Sequence, residues 1–69
     1  MFKVGDKVWS DEFGVGEVTT CDADPMYPVE VDFEAEKGLP YTSEGAWSRY
    51  GPHDFDIIPY TGQDNEARQ

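Results

Sequence analysis

Two glycine-punctuated apolar runs near the start of the chain constrain its fold more than any other feature. They are Phe2-Lys3-Val4-Gly5-Asp6-Lys7-Val8-Trp9 and Phe13-Gly14-Val15-Gly16-Glu17-Val18. Gly5-Asp6 supplies turn chemistry ahead of an apolar alternation. Gly14 and Gly16 bracket a single valine at a point where the backbone must kink or lie close against another strand. A very small, strongly curved β-barrel begins in this way.

The alternation predicts a first strand from Val4 to Ser10, with Val8 inward and Trp9 on the opposite face. Ser10-Asp11-Glu12-Phe13-Gly14 reads as a turn, and Val15 to Cys21 as a second strand favoured by Val18 and the β-branched Thr19 and Thr20. Asp22-Ala23-Asp24-Pro25 breaks it. From Tyr27 to Glu34 the pattern is clearest: Val29, Val31 and Phe33 alternate with Glu30, Asp32 and Glu34, so apolar groups share one face and carboxylates the other. Pro28, near the start of this strand, points to an edge position. After a Glu36-Lys37-Gly38 turn, a short fourth strand from Leu39 to Thr42 is entered through Pro40, and Phe55 to Pro59 forms the last.

Between them, Ser43 to Pro52 is too short and glycine-rich for an ordinary helix. It is expected to be a turn or one helical turn that plugs the barrel end with Trp47. Residues 61–69 hold no large apolar side chain and read as a disordered tail. The expectation is therefore an all-β domain over residues 1–60, a small antiparallel barrel of about five short strands. Val8, Val18, Val29, Val31, Phe33 and Ile57 would form its core.

Sixty-nine residues make one domain, and a chain of this size buries only roughly 60% of its unfolded surface, which favours an aromatic-rich core. Trp9, Phe13, Tyr27, Tyr41, Trp47, Tyr50 and Tyr60 exceed what so small a barrel can enclose, so some line its surface or ends. Fifteen acidic against five basic residues give a formal charge of -10. That field repels phosphate backbones and anionic lipid, so neither nucleic acid nor membrane is expected as a direct partner. A basic protein surface, or a bound cation, is the favoured alternative.

Cys21 is the only cysteine and excludes an internal disulfide. With no signal-peptide pattern at the amino terminus and no run of ~20 apolar residues, a cytoplasmic location is expected. Nothing points to an enzyme or a cofactor. Cys21 and His53 lack the companions that a thiol nucleophile or a zinc site requires. The Gly14-Val15-Gly16 run leads into a strand and not a helix amino terminus, which removes a phosphate loop. Asp22-Ala23-Asp24 resembles the opening of a calcium loop but lacks its later glycine and glutamate. The carboxylates fall at turns or on solvent-facing strand positions, without material for a substrate cleft.

Lys3-Val4-Gly5-Asp6-Lys7-Val8, Phe13-Gly14-Val15-Gly16-Glu17-Val18 and Val29-Glu30-Val31-Asp32-Phe33 together resemble the first three strands of SH3-like barrels of the Tudor and KOW type. In particular they are similar to the small carboxy-terminal Tudor-like domain of bacterial superfamily 1 DNA-repair helicases. The resemblance spans about the first half of the chain. Beyond Glu34 a Tyr41-Thr42-Ser43-Glu44-Gly45-Ala46-Trp47 run stands where that family carries a basic segment, and it looks like small phage and prophage proteins. The resemblance implies the fold; contact with RNA polymerase is implied for the helicase domain itself, and none of its binding residues carries over to this sequence.

The expected function is accordingly a non-enzymatic, acidic protein-binding module. It would be a phage-type accessory protein or inhibitor that docks on a bacterial RNA polymerase, nuclease or helicase. Trp9, Phe13 and Trp47 are the candidate anchors, with Glu12, Glu30, Asp32 and Glu34 as charged contacts. Two alternatives stand beside it. Same-face carboxylates on a strand repeat at about 6.6–6.8 Å, near the ~6.8 Å advance of alternate phosphates along DNA, so the Glu30, Asp32, Glu34 ladder suits a DNA mimic. The surplus aromatics suit a cage for cationic peptides or modified lysine.

Overall fold

The computed structural model describes residues 2–48 and 50–60. Its strands arise where the apolar alternation is strongest: β1 Lys7–Ser10, β2 Gly14–Thr20, β3 Val29–Phe33, β4 Leu39–Tyr41 and β5 Ile57–Pro59. All pairings are antiparallel in one sheet of order β4-β3-β2-β1-β5. Among the described residues there is no helix, and so none long and apolar enough to cross a membrane. The sheet curls into a half-barrel, an all-β architecture compatible with an SH3-like fold. Its curl is helped by a register shift in β2 between the Val18–Val31 and Thr20–Glu30 pairs, since a bulge bends and twists its strand.

The inner face carries the expected core. Val8, Val18, Val29, Val31, Phe33 and Ile57 are each at most 3% exposed. Tyr41, grouped from the sequence with the surplus aromatics, joins them with no exposure, and its hydroxyl donates to the Phe55 carbonyl at 2.7 Å. Burial, and secondarily the Asp56 carboxylate, hold this phenol above the ordinary tyrosine range, so it stays a protonated donor. Rings continue outward from the core: Phe13 lies 5.1 Å from Phe33 and 4.8 Å from Phe55 between centroids.

Several strand limits differ from the sequence reading. β1 starts at Lys7 and not Val4, because Lys3 to Asp6 closes a turn: the Asp6 N–H donates to the Lys3 carbonyl, and the Lys3 N–H to the Asp6 carboxylate, each at 2.9 Å. Gly5, at φ 95°, occupies the left-handed position this turn requires. β3 is interior, so Pro28 does not mark an edge; it precedes the strand and costs no ladder bond. Glu34 falls just outside β3, where the Phe33 N–H turns to the Glu36 carbonyl. Phe55 precedes β5, its N–H donating to His53 Nδ1 at 3.2 Å.

The edges of the half-barrel, β4 and β5, are bridged by the segment joining them. Ile57 N–H donates to the Gly45 carbonyl at 2.8 Å, and the Asp56 carboxylate accepts from the N–H groups of Trp47 at 2.7 Å and His53 at 3.1 Å. The described part of this segment is turn and bend without a helical turn. Trp47 packs edge-on against Tyr41 and Phe55 and lies against the core.

Ser10 is the one buried polar side chain among the described residues, and it ties the β1–β2 turn to the same closing segment. Its Oγ accepts from the N–H groups of Glu12 and Phe13 at 3.1 Å each and donates to the Asp54 carbonyl at 3.3 Å. Ser10→Ala removes the acceptor, strands the Phe13 N–H and leaves the Glu12 N–H only its bond to the Asp54 carbonyl at 3.2 Å. It is expected to lower stability by about 1–3 kcal/mol, read as a lower urea midpoint with an unchanged slope. An unchanged midpoint would mean that these bonds carry no net stability.

Candidate functional site

The outer face of the sheet is read directly from register, because residues directly opposite in an antiparallel pair point to the same side. Trp9 lies opposite Val15 on β2 and opposite Ile58 on β5. Ile58, Trp9 and Val15 therefore form an apolar row across three strands. Ile58 is 58% exposed and Val15 42%, whereas Trp9 is half-buried, stacked on Tyr60 with centroids 6.0 Å apart and planes at 28°. The Trp9 indole N–H donates to Asp11 Oδ1 at 3.2 Å, which holds the ring in the row and places a carboxylate at one flank.

One same-face position along the strands, the chemistry changes from apolar to charged. Lys7 stands opposite Glu17, and Glu17 opposite Asp32. Lys7 Nζ meets Glu17 Oε1 at 3.1 Å, an exposed pair of small energetic weight. Asp32 Oδ1 accepts the Gly38 N–H at 2.7 Å and thereby shapes the β3–β4 turn. Beside Val15 the surface sinks into a shallow depression of about 400 Å³, whose charged lining is Lys7, Glu17, Asp32, Glu34 and Lys37.

The residues singled out from the sequence are thus dispersed. Trp9 is on the outer face, and Glu30 and Asp32 project from the same side of β3. Glu34 is exposed beyond the end of that strand, so the three acids do not form one uninterrupted strand ladder. Phe13 and Trp47 pack against the core, while Glu12 is exposed in the β1–β2 turn. Val15 and Ile58 were not among the expected contacts. Their signal was the period-two alternation, but only the β1–β5 pairing brings Ile58 beside Trp9.

Other polar groups are engaged locally. Asp24 Oδ1 accepts from the N–H groups of Met26 and Tyr27, an Asx-type turn in the segment that resembled a calcium loop. Cys21 is half-buried, with its thiol donating to the Phe2 carbonyl at 3.3 Å. Among the described residues no three His, Cys, Asp or Glu side chains converge as a metal-binding group. No protein-family model, curated protein or solved structure matches the chain.

Proposed function

We propose that this protein is a non-enzymatic, Tudor-type SH3-like module that docks on a basic protein surface through the outer face of its sheet. The observation that carries the reading is the Ile58, Trp9, Val15 row: two exposed and one half-buried apolar side chains aligned across strands and flanked by Asp11, Glu17 and Asp32. A half-buried tryptophan with a fixed ring is suited to anchor a partner, and the surrounding carboxylates to steer a cationic one. The likeness of the first half of the sequence to helicase Tudor-like domains directs attention to bacterial nucleic-acid-handling proteins. A phage-type accessory or inhibitory role follows from the likeness of the second half.

Docking is favoured over DNA mimicry because the acidic surface is already partly committed. Glu17 is paired with Lys7, Asp32 is hydrogen-bonded to Gly38, and Glu34 lies off the strand. Phe13 and Trp47 are assigned to closing the core.

The two readings separate in a capture experiment on a bacterial lysate, with any retained partner then purified for kinetics. Docking predicts a partner that survives moderate salt and a Trp9→Ala variant that weakens it by about 2 kcal/mol or more, roughly thirtyfold in Kd. Neutralising Glu30, Asp32 and Glu34 together should mainly slow association. Abolition of binding by that triple change, with Trp9→Ala indifferent, would instead establish mimicry.

A further inference from the structure

We infer that the partner element seated on this face is a basic amphipathic helix laid across the strands. The inference rests on the docking reading above and specifies its occupant.

The free edges of the sheet do not offer a template for an added strand. On β5, the Ile57 N–H that faces away from β1 is taken by Gly45, and the next outward position is Pro59, which has no N–H. On β4, Thr42 N–H is taken by Ala46, and the preceding outward position is Pro40. An extended peptide that joins a sheet needs alternating donors and acceptors from its edge. Prolines in the two edge strands withhold the donors, so a partner must approach the face.

The face itself favours a helix crossing the strands. Neighbouring strands are about 4.8 Å apart, which puts Ile58 and Val15 about 9.6 Å from one another with Trp9 between them. A helix projects side chains i, i+3 or i+4, and i+7 on one side over about 10.5 Å, close to this repeat. Same-face residues of an extended chain recur every ~6.6–6.8 Å and fall out of step with it. An extended apolar segment running along β1 instead would meet Lys7 on one side of Trp9 and Asp11 on the other.

Charge selects the flanks of that helix. Asp11 lies on one side of the apolar row, and Glu17, Asp32 and the depression containing Glu34 lie on the other. An apolar helix stripe bordered on both sides by lysine or arginine is complementary to this arrangement. The formal charge of -10 disfavours a second copy of the chain in the same place. Lys7 and Lys37 are the local opponents of a basic partner.

The test uses the 69-residue chain and two synthetic peptides of identical Leu and Lys composition, one patterned with helical period and one in strict alternation. Titrations are followed through the Trp9 indole N–H and the Val15 and Ile58 methyl resonances. The helical peptide is expected to bind on this row at least tenfold more tightly than the alternating one. Ile58→Thr and Val15→Thr, which keep a β-branched side chain in the strand, should each weaken it several-fold, and Lys7→Ala should tighten it. Tighter binding of the alternating peptide on the same row would overturn the helix and leave docking intact. If neither peptide perturbed the row, both the helix and the docking reading would fail.

Discussion

Val31→Asp is expected to leave no folded population at 25 °C. Val31 has no exposure, pairs with Val18 on one side and Leu39 on the other, and stands at the middle of the interior strand β3. The change forfeits about 1.5–3 kcal/mol of apolar burial, and an unpaired carboxylate there costs several kcal/mol more after relaxation. A core of this size rarely supplies more than about 3–5 kcal/mol in total. Circular dichroism should therefore report an unfolded chain without a cooperative melt. Retention of a wild-type melt would refute the inward assignment of β3.

Gly16→Ala is expected to destabilise by about 1–3 kcal/mol, at the upper end of that range, as an overpacked core does. A Cβ at this position would lie 2.6 and 2.7 Å from two atoms of the Phe33 ring and 2.8 Å from Val31 Cγ1. Neither neighbour can readily give way. Phe33 is 1% exposed and is in ring contact with Phe13 and Tyr41, and Val31 is enclosed. The gain from a stiffer unfolded chain, about 0.4–1 kcal/mol, offsets only part of the clash. Because Gly16 does not need a positive φ, the loss measures packing and not backbone strain. A urea midpoint equal to or above that of the wild type would show that the sheet can relax around the methyl group.

The origin of this requirement is written in the sequence. The Gly14-Val15-Gly16 run implied a kink or a close approach, and the two glycines divide those roles: Gly14 takes φ 82° at the start of β2, and Gly16 lies under Phe33. The core valines, Phe33 and Ile57 were equally legible, because period-two alternation is a local property of the chain. Boundaries were less so. Val4 has the composition of a strand residue, but backbone and carboxylate bonds within Lys3 to Asp6 turn the chain there and leave Val4 65% exposed. Tyr41 could not be assigned inward from the sequence, since its burial depends on a hydroxyl partner, the Phe55 carbonyl, across the closing segment.

For the candidate site the division is sharper. Alternation sufficed to turn Trp9 away from the core and to set Glu30 and Asp32 on the solvent side, and composition sufficed to make the chain strongly acidic. What only the tertiary structure decided is which outward residues become neighbours. Ile58 meets Trp9 because β5 returns to pair with β1, and Val15 joins them through the β1–β2 register. The same pairings leave Pro40 and Pro59 on the two edge strands and commit Glu17 and Asp32 to internal partners. Side-chain direction along a strand follows from local backbone geometry and is written in the sequence. The arrangement of side chains across strands depends on long-range register, which the core and the closing segment set together.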